Sequence, residues 1–210
     1  MLKPNMTSSA LLSIIYLLTL FMFACSGGDS GQQDMDASGA QEESSDTMAM
    51  NDDIRTINII GIDDMKFAVE QEMEGITVGQ STGAQGGLLL LETIEAEPGE
   101  EIRIRLTTRS QLPPSAMSHN WVLMTADADP TVYVRQAQQA QEQDYLPPAL
   151  SDMVLAHTEM VGGGETTEIV FTAPETPGEY EYLCSFPGHY AAGMKGFLIV
   201  LDNESDTATE

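Results

Sequence analysis

Three side chains able to hold a soft metal ion recur at five-residue intervals near the C-terminal end of the chain. They are Cys184, His189 and Met194, in CSFPGHYAAGM. A fourth, His119 in MSHNWVL, lies 65 residues before the cysteine. A thiolate, two imidazoles and a thioether are the mixed nitrogen–sulfur donors that a one-electron copper site requires. Cu(I) favours soft sulfur at low coordination and Cu(II) favours tetragonal nitrogen and oxygen, so a trigonal plane of two His and one Cys with a weak axial Met holds a geometry between the two. Little then rearranges when an electron arrives. Singly, each residue has an ordinary explanation. His119 enters an apolar stretch as a core histidine would, and His189 follows Pro187-Gly188 in a turn. Met194 is one of 13 methionines, and a free cysteine packs as a small hydrophobe. Their coincidence in one loop between two expected strands is what points to a metal.

Such a loop has to be presented by strands. Residues 101–108 alternate, with Ile102, Ile104 and Leu106 on one face and Arg103 and Arg105 on the other, the period of a half-buried strand. Further strands are expected at 55–60, 65–69, 88–96, 119–125, 166–172, 179–184 and 196–201. Pro98-Gly99, Leu112-Pro113-Pro114, Gly162-Gly163-Gly164 and residues 174–178 separate them. Residues 131–143 carry Ala, Gln and Glu without Gly or Pro and read as one helix, closed by Pro147-Pro148. About eight strands with one inserted helix predict an all-β, Greek-key β-sandwich. No internal repeat is visible.

Three motifs, MSHNWVL, AHTEMVGGGE and CSFPGHYAAGMKG, together resemble the azurin and auracyanin group of cupredoxins, the small blue copper proteins. Weaker matches run through IIGIDDMKF, ITVGQ and LPPSAMSHN, so the resemblance covers residues 54–201. It implies a cupredoxin domain holding one copper ion, with His119, Cys184 and His189 as equatorial ligands and Met194 as the axial one. Asn120 matches the family residue that ties the two ligand segments together and hydrogen-bonds near the thiolate, a kind of contact that tunes a metal's potential. Ser118 stands where azurin has a Gly whose carbonyl approaches the copper. The five steps from His189 to Met194 follow auracyanin and plastocyanin, where azurin has four. The azurin disulfide has no counterpart. The resemblance also implies that the ring edge of His189 emerges through an apolar electron-exchange patch, for which Met117, Pro187, Tyr190, Ala191 and Ala192 are the candidates. Redox partners use small interfaces, and an acidic surround would orient a basic partner such as a cytochrome c or a membrane electron-transfer complex.

The rest of the chain reads as an address and a tether. Residues 1–24 have the form of a secretory signal, with an apolar run from Ala10 to Ala24 too short to span a bilayer. Ala24-Cys25-Ser26-Gly27-Gly28 looks like a bacterial lipoprotein processing site with Cys25 as the lipidated residue, although Met22 stands where Leu is usual. An uncleaved anchor and ordinary cleavage are the alternatives, and all three export the domain. Residues 26–53 hold eight acids, no base and no aromatic, a composition that cannot bury enough surface to order itself. As a coil, that tether reaches about 30 Å. Residues 202–210 form an acidic tail.

With Cys25 lipidated, Cys184 is left as a free thiol, which metal ligation explains. The 33 acids against 8 bases give a net charge of −25, which argues against nucleic acid because phosphate binding needs clustered Lys and Arg. Partner steering and adaptation to high salt both fit this acidity. His157 lies far from any Cys or Met and reads as a surface or structural histidine. Once the blue site is filled, His157 alone remains, too few for the second copper of an oxidase or nitrite reductase, so no enzyme is expected. Copper delivery or storage is the alternative function, disfavoured because such sites are usually open and exposed.

Overall fold

The computed structural model describes residues 54–82 and 86–202. The expected signal segment, Cys25, the tether and residues 203–210 lie outside them. Twelve strands and one α-helix are found among the described residues. In chain order the first strands are β1 (Arg55–Ile62), β2 (Lys66–Val69), β3 (Ile76–Thr82), β4 (Leu88–Ala96), β5 (Glu101–Arg109), β6 (Ser118–His119) and β7 (Val122–Met124). Helix α1 (Pro130–Ala137) precedes β8 (Val154–His157), β9 (Val161–Gly162), β10 (Thr166–Thr172), β11 (Gly178–Leu183) and β12 (Lys195–Val200).

Ten strands make one sheet in the order β10-β5-β1-β2-β4-β12-β11-β7-β8, with β3 added on β4, and β6 and β9 form a separate two-stranded ribbon. The large sheet curls into a nearly closed, barrel-like sandwich, the all-β fold expected. Two of its pairings, β1 with β5 and β12 with β4, are parallel, and the others are antiparallel.

Period-two burial builds the interior. Ile102, Ile104, Leu106 and Thr108 of β5 are all fully buried while Arg103 and Arg105 lie outward. Leu198 and Val200 of β12, Ile57 and Ile59 of β1 and Phe67 of β2 join them in the main core. Trp121 sits at its centre, its ring 5.4 Å from Phe171 and 5.5 Å from Tyr182, and Phe67 meets Tyr182 edge-on at 5.6 Å. Each such ring pair contributes about 0.5–1.5 kcal/mol beyond its buried area.

The helix is shorter than the 131–143 expected. Asp129 caps it by accepting from the Thr131 and Val132 amides at 2.8 and 3.2 Å, and Pro130 occupies the first turn. It ends at Ala137, and a 3₁₀ turn (Gln141–Gln143) follows. Propensity favoured continuing, but the segment has to close over the outer face of β7 and β11. There Tyr133, Val134, Leu146, Leu150 and Met153 pack on Val122, Met124 and Leu183. The strand expected at 119–125 is split, because Asn120 and Trp121 leave the ladder between β6 and β7. No helix among the described residues is long and apolar enough to cross a membrane.

Candidate metal centre

Two segments build the site. The first is the β6 end of a ribbon in which Ser118 opposes Gly162 and His119 opposes Val161. Thr108 Oγ1 donates to the Val161 carbonyl at 2.9 Å, and Trp121 exchanges bonds with Thr158 through its amide to Thr158 Oγ1 (3.0 Å) and its carbonyl from the Thr158 amide (2.9 Å). His119 is thereby held on a short, doubly pinned stretch. The second segment is the loop from β11 to β12. Its neck is closed by the Cys184 amide donating to the Met194 carbonyl at 3.1 Å. Within it the amides of His189, Ala192, Gly193 and Met194 donate to the carbonyls of Phe186, Gly188, Tyr190 and His189. The hairpin strands fix the neck and these turns fix the arm, so the ligand spacing becomes a three-dimensional frame.

His119, Cys184 and His189 come together, with one donor atom from each within 4.8 Å of the others. Nδ1 of His189 lies 3.4 Å from Cys184 Sγ, Nδ1 of His119 lies 3.9 Å from it, and the imidazole centroids are 4.9 Å apart. Met194 is fully buried and joined to both neighbours through its backbone. His119 and Cys184 are fully buried and His189 is 2% exposed. Burial, with His189 beside it, holds His119 down at about 3, and burial holds His189 down at about 4. Both imidazoles are therefore neutral, with lone pairs free to bind. Burial pushes the Cys184 thiol up to about 12, while the amides of Asn120 and Phe186 act in the opposite direction. A thiolate here needs a cation beside it. Buried neutral imidazoles aimed at one buried sulfur, which is the free cysteine among the described residues, make a donor set that fits a soft ion such as copper.

Asn120 joins the two segments: its Nδ2 donates to Ser185 Oγ at 2.8 Å, and the Ser185 amide donates to its Oδ1 at 2.9 Å. Ser118 is buried, and its hydroxyl donates to the Pro114 carbonyl at 2.7 Å. Around the loop, Pro187 and Ala191 are exposed and Tyr190 and Ala192 half-buried. Met117, the fifth residue expected in that patch, is instead 7% exposed. Its amide donates to the Pro113 carbonyl in a tight turn, which turns it inward and leaves Leu112, Pro113, Pro114 and Ala116 on the outside. His157 is exposed on β8, apart from the three donors, with Nδ1 against the Thr158 carbonyl at 3.2 Å.

Two further residues support the site from positions that sequence alone does not mark. A Cβ on Gly61 would lie 2.5 Å from Cδ2 of His119, so a glycine there makes room for the imidazole. From the inserted segment, the half-buried Tyr145 meets Phe186 edge-on at 5.2 Å, and Phe186 lies 4.7 Å from the His189 ring. The signal for Gly61 was present in IIGIDD but is intelligible only once His119 is known to cross it.

Comparison with known proteins gives one consistent result. The family described as "Copper binding proteins, plastocyanin/azurin family" matches residues 78–201. Auracyanin-B of Chloroflexus aurantiacus is 42% identical over 85 residues, an alignment spanning 40% of this chain and only 36% of that protein. Azurin of Achromobacter denitrificans is 39% identical over 112 residues, 52% of this chain and 73% of the azurin. The solved structure of auracyanin A, a "blue" copper protein from the same Chloroflexus species, superposes with a TM-score of 0.52 at 26% identity, over 70% of this chain and 98% of that one.

Proposed function

The chain belongs to the plastocyanin/azurin family of copper-binding proteins, and from that premise we propose that it is a type 1 blue copper electron carrier. In this reading it is exported and tethered to a membrane through Cys25 and the acidic segment before residue 54. It works in the periplasm or at the cell surface, passing single electrons between respiratory or photosynthetic partners.

The observation that carries the proposal is the dry convergence of His119, Cys184 and His189 within 4.8 Å. These three, with Met194, would hold the metal. Copper bound there supplies reversible one-electron Cu(I)/Cu(II) chemistry. The protein's own part is rigidity and access. The Asn120–Ser185 bonds lock the His119 segment to the Cys184 loop and oppose rearrangement of the frame. Phe186 and Tyr145 shield His189 from water on one side. Pro187, Tyr190, Ala191 and Ala192 offer a small apolar contact to a partner, with the acidic remainder of the chain orienting a basic one such as a cytochrome c. The closed donor set argues against copper delivery or storage, which calls for ready release.

The test is a redox titration of the copper-loaded chain followed by stopped-flow oxidation of a basic cytochrome c at several salt concentrations. Reversible one-electron cycling is expected, with a rate that falls as salt rises. Irreversible reduction, or loss of copper to a mild chelator on reduction, contradicts the carrier reading. A salt-independent rate contradicts steering by the acidic surface.

A further inference from the structure

The described residues contain two lysines, Lys66 and Lys195, in a chain with 33 acids and 8 bases. Both reach the loop that carries Cys184, His189 and Met194. Lys195 is largely neutralised there: its Nζ pairs with Glu181 at 3.0 Å and lies 4.8 Å from the centre of the Tyr190 ring. Lys66 differs. No carboxylate of the described residues forms an ion pair with it, and its Nζ donates to the carbonyl of Ala192.

The local structure is arranged for this contact. Met65 adopts a left-handed φ of 54° and its amide donates to the Ile62 carbonyl at 2.9 Å, which turns β1 into β2 and sets Lys66 opposite Ile62. On the other side, Gly193 has a φ of 89°, and a Cβ there would lie 2.7 Å from Lys66 Nζ. The positive φ already favours glycine at 193, and the absence of a side chain also leaves room for the ammonium. The carbonyls of Phe186, Gly188, His189, Tyr190 and Met194 each take an amide from inside the loop. Ala192 lies between His189 and Met194, and its carbonyl takes its donor from a strand 126 residues away.

We propose that Lys66 is a positioning residue for the copper site: its ammonium clamps the arm from His189 to Met194, and its uncompensated charge favours Cu(I) over Cu(II). A positive neighbour opposes the extra charge of the oxidised ion, and more strongly where water is scarce. This inference rests on the copper-carrier reading above.

Three variants of the full chain separate the two effects. Lys66→Met removes charge and donor, Lys66→Gln keeps a donor without charge, and Lys66→Arg keeps both. Reduction potential and visible spectrum are read on the copper-loaded chain, and amide hydrogen exchange of residues 190–194 on the copper-free chain. Lys66→Met and Lys66→Gln should each lower the potential by roughly 30 to 59 mV, a three- to tenfold change in the oxidised-to-reduced ratio. Lys66→Met should also speed exchange in the loop at least several-fold, while Lys66→Arg should restore both readouts. An unchanged potential in both uncharged variants overturns the electrostatic role, and unchanged exchange in Lys66→Met overturns the clamp. Should Lys66→Met fail to fold, Lys66→Gln still tests the charge, and a fourth variant, Lys66→Ala, tests the clamp: exchange faster than the parent's supports it and unchanged exchange overturns it. A parent chain that is neither blue nor redox-active sinks the carrier reading instead, and the copper-free exchange experiment then still decides the clamp.

Discussion

The two ends of strand β1 are closed in opposite ways. At its start, Arg55 forks onto Glu100 with bonds of 2.7 and 3.1 Å and also donates to the Glu95 carbonyl at 2.6 Å, with both charged side chains a quarter exposed. Six residues on, roughly 20 Å along an extended strand, Gly61 lies against the fully buried ring of His119. Charge closes the end that water still reaches. At the dry end burial keeps charge out of the interior, because an unpaired buried charge costs far more than a neutral donor. The buried titratable groups there are therefore neutral imidazoles and a thiol, and the ammonium of Lys66 stays at the half-buried rim. The difference shows why a binding site can sit at one end only: neutral buried donors become useful when a cation is brought to them, whereas an ion pair is already satisfied.

Among the substitutions, overpacking the dry end should have the largest effect. Gly61→Ala forces a Cβ against His119, which should cost about 1–3 kcal/mol and alter the visible spectrum of the copper form. Chemical denaturation and absorption read both. Lost stability with an unchanged spectrum would mean that the ring of His119 does not yield.

Acid should act at the same end. In the copper-free protein the His119 and His189 pKa values are lowered to about 3 and about 4 from 6.5. Between those values and 6.5 the unfolded chain binds more protons than the folded one, so stability is fully present above about pH 6.5 and falls with pH through the folded values. The slope has an upper limit of about 1.4 kcal/mol per pH unit for each imidazole. Denaturation midpoints of the copper-free chain should fall from pH 7 to pH 4, and those of the copper-loaded chain at least as steeply, because bound ligands carry no proton and the unfolded chain takes the protons up. A copper-free midpoint that does not move would contradict buried neutral imidazoles.

The smallest effect belongs to the wet end. Arg55→Gln breaks a partly exposed ion pair and should cost about 0.2–1 kcal/mol, less at high salt, with no change in the visible spectrum. A spectral change would couple the two ends of β1 and undo the contrast between them.

Legibility in the sequence followed the same divide. Ile102, Ile104 and Leu106 were readable because a strand wet on one side must alternate. Strand β3 was not, because Gly79 interrupts it and two register shifts against β4 spoil the period. Strand β8 is four residues long at the sheet edge, too short to show a pattern. The helix was over-extended because Ala and Gln propensity cannot foresee that the chain leaves the helix after Ala137, with Ala140 at a non-helical φ of −105° and ψ of 39°. Further on, Asp144 and Tyr145 take left-handed φ values of 52° and 59°, and Tyr145 meets Phe186. The soft donors themselves stood out because the chain holds only two cysteines and three histidines. Gly61, Lys66 and the inward turn of Met117 did not, since each is defined by a neighbour distant in the chain.

The central claim is that His119, Cys184 and His189, with Met194, hold one copper through a thiolate. Visible absorption of the copper-loaded chain tests it most directly. An intense blue thiolate-to-copper band is predicted, abolished by Cys184→Ala. A colourless Cu(II) complex, or a blue band that survives the loss of Cys184, would contradict it.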